Sequence, residues 1–240
     1  MDIYGAKKIG ELLCGNTYPG RGIIAGTSAD GKYAVAAYFI MGRSGNSRNR
    51  VFVRKDGGIF TEPYDPSAVV DPSLIIYAAV RQYGSRLIVT NGDQTDTVYE
   101  GLASGMSFEQ ALESRSFEPD APNFTPRISG ILDCSDGKYS YRLSILKSAD
   151  AAGSACVRYS FAYPSVAGLG HFIHTYVGDG SPLPSFQGEP ERIAIDGVCP
   201  NCFAEEVWDA LDPDNRISLY VRFTDISGGT YRDRIINRFN

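Results

Sequence analysis

The sequence predicts an α+β fold in which two β-sheets pack face to face with helices on their outer sides. Three observations predict it. Short β-branched and aromatic runs recur along almost the whole chain, whereas helical periodicity is confined to four segments. Asp-Gly pairs at Asp30-Gly31 and Asp136-Gly137 separate consecutive runs, and this dipeptide tolerates the positive φ of tight hairpins. No Pro/Gly-rich linker is long enough to divide the chain, so residues 1–240 are expected to form a single domain.

The elements follow in order. Residues 2–14 place Ile3, Ala6, Ile9 and Leu13 at near-helical spacing, with Gly15 as the stop. Residues 21–25 and 33–41 read as a hairpin, and 51–53 as a third strand. Residues 74–83 and 87–90 form another pair turning at Gly84. Residues 95–104 are helical with a polar start. Ser107 opens a second helix running to about Ser114, because Gln110 completes a capping box. Residues 128–133 and 139–147 repeat the hairpin pattern around Gly137. Strands are expected at 157–163, 172–176, 192–195 and 217–224, with a fourth helix at 203–211.

Composition narrows the function classes. Apolar residues make up 43% and charged residues 21%, enough for a core and inconsistent with a disordered chain. A formal charge of -5 and a pI near 5.1 argue against nucleic-acid binding, which needs a broad basic face. No apolar run approaches the ~20 residues that span a bilayer. The start, Met1-Asp2-Ile3-Tyr4-Gly5, lacks the regions of a signal peptide. A cytoplasmic protein with no membrane partner is expected. Five cysteines without a secretion signal argue against a disulfide framework. Cys199 and Cys202 have the spacing of half a zinc site, but a structural zinc needs four ligands. His171 and His174 are the only histidines, so a mixed site is the weaker alternative. The pair is read as capping the turn before residues 203–211, and no metal is expected.

Local clusters carry the chemistry. Residues 42–50 hold Arg43, Arg48 and Arg50 among Ser44, Ser47, Asn46 and Asn49, between two strands of an acidic protein. Guanidinium forks bind phosphate oxygens in pairs, and hydroxyl and amide groups fill the remaining acceptors. A nucleotide phosphate is the leading ligand, and a solvated connection is the alternative. Tyr18-Pro19-Gly20-Arg21-Gly22 allows close backbone approach beside one arginine. Asn91, Gln94 and Thr95 stand at an expected helix start and suit polar base edges. Pro126 fixes its neighbours in extended geometry, so Thr125 and Arg127 have defined directions. Residues 170–190 mix Gly and Pro with Phe, Tyr and Leu, as a packed binding loop does. Walker, Gly-x-Ser-x-Gly and His-Glu-x-x-His motifs are absent from the sequence. Acid–base work therefore falls to carboxylates, tyrosine or the substrate.

Together these clusters resemble the archaeal-type IMP cyclohydrolases. The matching pieces are Gly20-Arg21, Arg43-Ser44 with Asn49-Arg50, Asn91-Gly92 with Thr95-Asp96, Thr125-Pro126-Arg127-Ile128, His174-Thr175-Tyr176, Pro184-Ser185-Phe186 and Gly188-Glu189-Pro190. They occur in the family's order over residues 18–190. Archaeal members tend to carry an Asn-Pro-Tyr element where this chain has Asp71-Pro72-Ser73, leaving Tyr77 as the nearest tyrosine.

The resemblance implies a four-layer αββα sandwich similar to N-terminal nucleophile hydrolases. It implies closure of the purine ring of 5-formamidoimidazole-4-carboxamide ribotide to inosine monophosphate and water, with no cofactor. A chain beginning Met1-Asp2 offers no N-terminal nucleophile, which suits that reaction. On this reading Arg21, Arg43 and Arg50 contact phosphate and formyl oxygen. Ser44, Asn49, Asn91, Thr95 and Thr125 fix ribose and base, and Arg127 stabilises charge near the ring. Tyr77 transfers the proton, with Glu118 or Asp120 as the carboxylate alternative. The partner is a purine ribonucleotide, and the family's tendency makes a homo-oligomer an expectation. The rivals are a non-catalytic purine-nucleotide-binding protein and an amide hydrolase of the related fold. The hydrolase would use Cys14, expected on the apolar side of the first helix.

Overall fold

Two antiparallel sheets lie face to face in the computed structural model, which describes residues 4–69 and 76–239. In chain order the elements are α1 (Ile9–Leu13), β1 (Arg21–Thr27), β2 (Tyr33–Met41), α2 (Gly45–Arg48), β3 (Val51–Lys55), β4 (Gly58–Glu62), β5 (Ala78–Tyr83) and β6 (Arg86–Thr90). There follow α3 (Gln94–Ala103), α4 (Phe108–Leu112), β7 (Arg127–Asp133), β8 (Ser140–Ser148), β9 (Cys156–Pro164), β10 (Leu169–His174), β11 (Glu191–Ala194), α5 (Pro200–Ala210), β12 (Arg216–Asp225) and β13 (Tyr231–Asn237). The first sheet runs β11-β10-β1-β2-β12-β13 and the second β3-β4-β5-β6-β7-β8-β9.

Alternation along each strand builds the layers. In β1, Ile23 and Ala25 face the second sheet and meet Ile128, Leu132 and Leu143. Ile24 points the other way, into a cluster with Ile9 and Leu13 of α1 and Phe203 and Val207 of α5. In the second sheet Ile88 and Ile131 face outward, against Val98 and Leu102 of α3 and Phe108 and Leu112 of α4. The order is helices, sheet, sheet, helices: the expected αββα layering. A strand buried on both faces needs no polar alternation, and β2 is buried at all eight positions after Tyr33. Each fully buried large apolar side chain contributes about 1.5–3 kcal/mol.

Several expectations shift. Residues 4–8 are not helical, and Ile3 lies outside the described residues. Lys7 bridges Ile193 in parallel, its N–H donating to the Arg192 carbonyl at 3.1 Å, and so covers the free edge of β11. The first helix therefore keeps five residues. Of the strand expected at 74–83, residues 74–75 lie outside the described residues and β5 begins at Ala78. Strands β4 and β13 go beyond the sequence reading. The turn into β4 is Asp56-Gly57, both at positive φ, the same dipeptide signal that marks the other hairpins. In β13 the Arg-Asp-Arg run of an exposed edge masks the strand pattern. Helix α5 starts at Pro200 rather than 203, because Cys199 caps it.

Candidate active site

Antiparallel pairing carries the sequence clusters to one end of the sandwich. Arg21 stands opposite Ile40 and Gly22 opposite His174, so the starts of β1, β3, β5 and β7 meet the ends of β2, β6 and β10. The tight turns after β1, β5 and β7 fall at the other end.

Two arginines form the centre. Arg21 shares the face of Ile23, so its side chain enters the space between the sheets. Its Nε is buried without a hydrogen-bond partner among the described residues. Arg50 is wholly buried: Nε donates to the Ser47 carbonyl at 2.7 Å, Nη2 to the Met41 carbonyl at 3.2 Å, and Nη1 has no partner among the described residues. Burial, reinforced by the charge of Arg21, lowers the Arg50 guanidinium below its ordinary value. Burial also works against Arg21, but Glu118, Tyr176, Tyr18 and Tyr77 outweigh it and hold Arg21 above its ordinary value. Both stay protonated at physiological pH. Buried guanidinium N–H groups without acceptors cost free energy, which an electron-rich ligand oxygen would recover. The approach depends on Gly20, at φ +81. A Cβ there would sit 2.2 Å from Thr175 Oγ1, which accepts the Arg21 N–H at 3.1 Å.

Around this pair stand neutral phenols and one unpaired carboxyl. The hydroxyls of Tyr38 and Tyr77 are 2.7 Å apart. Thr61 pins Tyr77, its Oγ1 accepting the Tyr77 N–H at 2.9 Å. Burial pushes the Tyr77 hydroxyl up, although Arg50 and Arg21 pull it back; burial and then Tyr77 raise Tyr38 further. Both are therefore hydrogen-bond donors at neutral pH. Glu118 is 2% exposed and its carboxyl has no hydrogen bond or ion pair among the described residues. Burial raises its pKa, against the pull of Arg21, Arg127 and Arg50. Asp120 positions this segment: it accepts the Thr125 N–H at 2.6 Å and the Thr125 hydroxyl at 2.5 Å. Thr125 also meets the Tyr176 hydroxyl at 2.5 Å, and its carbonyl accepts the Glu118 N–H at 2.9 Å. Tyr176, pushed up to about 12 chiefly by burial, stacks on Tyr18 at 5.9 Å.

The remaining expected residues divide by what holds them. Arg127 Nη1 donates to Asp93 Oδ1 and Gln94 Oε1, both at 2.7 Å, and Asp93 also pairs with Arg115. Burial opposes the Asp93 charge, but Arg115 and Arg127 hold its pKa below the ordinary value. Gly92 admits this contact, since a Cβ would lie 2.5 Å from Arg127 Nη1. Asn91 donates to the Pro126 carbonyl and accepts from Ile128 N and Gln94 Nε2, each at 2.9 Å. Thr95 meets the Thr90 hydroxyl at 2.6 Å. The amide of Asn91 and the hydroxyl of Thr95 are thus engaged in stitching β6, α3 and β7 together. Asn49 likewise exchanges two 2.7 Å bonds with the Asp65 backbone. Ser44 caps α2 through a reciprocal box with Ser47. Arg43 is half-exposed, pairs with Asp179 and the Gly180 carbonyl, and lies 5.0 Å over the Tyr18 ring.

The loop after β10 packs across the same end. Phe186 N–H donates to the Thr175 carbonyl at 2.9 Å, and Lys147 Nζ to the Phe186 carbonyl at 2.7 Å. The Asp71-Pro72-Ser73 departure lies outside the described residues. Cys14 ends α1 as an exposed C-cap rather than on an apolar side, and α1 lies on the outer face of the first sheet. His171 stacks on Tyr163 and His174 on Phe172. Among the described residues no three potential metal ligands cluster, and no helix is long and apolar enough to cross a membrane.

Sequence reasoning missed Tyr38, Asp93 and Arg115. Tyr38 sits inside an apolar run and reads as core. Asp93 reads as an ordinary turn residue, and nothing local links Arg115 to it.

Comparison with known proteins identifies the family. The profile of the IMP cyclohydrolase-like protein family matches residues 18–229. The chain belongs to that family. Among its relatives, the IMP cyclohydrolase of Methanopyrus kandleri is 39% identical over 120 residues, covering 48% of this chain and 59% of the relative. That of Methanothrix thermoacetophila is 29% identical over 119 residues, with 48% and 57% covered. That of Haloquadratum walsbyi is 30% identical over 183 residues, with 74% and 81% covered. The chain thus spans less than two thirds of the length of the first two relatives. The family match begins at Tyr18 and contains every residue of the arginine cluster.

Proposed function

We propose that this cytoplasmic, single-domain member of the IMP cyclohydrolase-like family closes the purine ring of 5-formamidoimidazole-4-carboxamide ribotide, giving inosine monophosphate and water. The observation that carries the reading is the pair of arginines between the sheets, whose buried Arg21 Nε and Arg50 Nη1 have no partner among the described residues, beside a buried carboxyl likewise unpaired among them.

The reaction joins the carboxamide nitrogen to the formyl carbon of one molecule. Both groups are tethered, so holding the formyl group folded back supplies much of the rate. As the N–C bond forms, the formyl oxygen gains negative charge. Arg21 and Arg50 donate to it in a site shut off from water, where such donors act most strongly. Glu118, made more basic than a solvated carboxylate by burial, takes a proton from the attacking nitrogen. It returns that proton to the oxyanion to give the carbinol; the formamido N–H then gives up the second proton as the C=N bond forms, and the oxygen leaves as water. Tyr77, kept neutral by burial and oriented by Tyr38, donates to the same oxygen. Arg43, at the exposed rim, meets the phosphate, and Arg127 lends positive potential to Glu118.

The test is direct. Purified protein is mixed with the formamido ribotide and followed spectrophotometrically against the ribotide alone. Conversion to inosine monophosphate supports the reading. Binding of inosine monophosphate without conversion replaces it with a nucleotide-binding role, and neither result rejects both.

A further inference from the structure

A pair of thiols lies away from the arginine cluster. Cys199 is the N-cap of α5, and its Sγ accepts the Cys202 backbone N–H at 3.3 Å. The Cys202 thiol points at the same atom, with the two sulfurs 2.8 Å apart. That separation is within a small rotation of the ~2.0 Å disulfide bond. Pro200 at the first helical position stops the helix from growing back over Cys199. Phe203, Ala204 and Val207 anchor the helix in the outer core of the first sheet, so the two thiols are held at a fixed end. Cys202 is exposed and Cys199 partly so, which leaves both within reach of a solute.

We propose that Cys199 and Cys202 form a redox-active dithiol that exchanges with low-molecular-weight disulfides, Cys199 attacking and Cys202 resolving. The Cys199 thiolate attacks one sulfur of the disulfide RSSR. The S–S bond of RSSR breaks, a Cys199–S–S–R bond forms, and one RS⁻ leaves and takes up a proton. Cys202 then loses its proton and attacks the Cys199 sulfur, releasing the second RS⁻ and closing the Cys199–Cys202 bond. Two electrons pass from the protein to RSSR, giving two RSH.

The order of attack follows from the geometry. The thiol of Cys202 and then its backbone N–H, with Arg232 adding charge, stabilise the Cys199 thiolate and lower its pKa. Donating to Cys199 raises Cys202. For a thiol whose pKa starts above the ambient pH, lowering it toward that pH increases the thiolate fraction more than it weakens the nucleophile. Cys134 makes a contrast: it is half-buried, and burial pushes its thiol up to about 11, far from reactivity at neutral pH. A structural zinc is the other use of such a pair. It requires four ligands, and no cluster of three exists among the described residues.

The test equilibrates the full chain with graded ratios of reduced and oxidised glutathione at neutral pH. Acid-quenched protein and the peptide spanning residues 199–202 are then weighed by mass spectrometry. A single two-electron transition is expected, with two hydrogens lost from that peptide. Cys202→Ser accumulates one glutathionyl group on Cys199. Cys199→Ser, which keeps an oxygen cap on α5, reacts several-fold more slowly at Cys202. A peptide still reduced at the most oxidising ratio overturns the proposal. So does zinc co-purifying stoichiometrically with the pair, or equal glutathionylation of the two variants.

Discussion

Replacing Glu118 by Gln removes one ionisation and almost no volume. Two signs follow from its surroundings. Burial raises the pKa of Glu118 above its ordinary 4.5 in spite of three nearby arginines, so its charged form is less comfortable in the fold than in water. A carboxyl with a raised folded pKa favours the fold below its ordinary pKa, and that contribution is lost as pH rises through the folded value. Glu118→Gln therefore matches wild type near pH 4 and is more stable at pH 8. Each tenfold change in the acid constant is worth about 1.4 kcal/mol, which in a chain of this length moves the melting midpoint by about 3–5 °C. Activity moves the opposite way. Loss of a positioned acid–base group costs about 10²–10⁴-fold in kcat, or about 3–5 kcal/mol of activation free energy. Calorimetry between pH 4 and 8 and the ribotide assay over the same range read both effects. Wild-type kcat/KM should rise with pH along a limb lying above 4.5, and the variant should lose that limb. A variant with normal turnover, or a lower melting point at pH 8, refutes the assignment.

Other outcomes follow from the same geometry. Arg50→Met or Arg21→Met should lower kcat by about 10²–10³-fold, the usual effect of losing an oxyanion donor, in steady-state assays. Arg43→Ala should act mainly on KM. Its half-exposed pair with Asp179 is of the kind worth under about 1 kcal/mol, so its melting curve should barely move. Tyr77→Phe leaves the buried Tyr38 hydroxyl without its partner and should cost about 1–3 kcal/mol in denaturant unfolding, besides slowing turnover. Gly92→Ala forces a Cβ against Arg127 Nη1 and should destabilise by about 1–3 kcal/mol, with loss of activity in the same preparation.

The sequence by itself determined the hairpins and the caps. Asp-Gly turns, the Ser107–Gln110 box and the apolar run of β2 are local signals, because turn geometry and side-chain period act over a few residues. It also supplied the arginine, threonine and tyrosine motifs in family order. It could not assign their tasks. Asn91, Thr95 and Asn49 look like base readers in one dimension, yet in the fold their polar groups satisfy neighbouring backbone and side chains. Tyr38 looks like core until Tyr77, 39 residues away, is brought within 2.7 Å of it. Arg43 and Arg50 carry the same charge in one short loop, but only the second is buried with an unpaired nitrogen. Burial and distance between remote residues decide which charges are desolvated and which donors are left free. Those quantities exist only once the two sheets have packed.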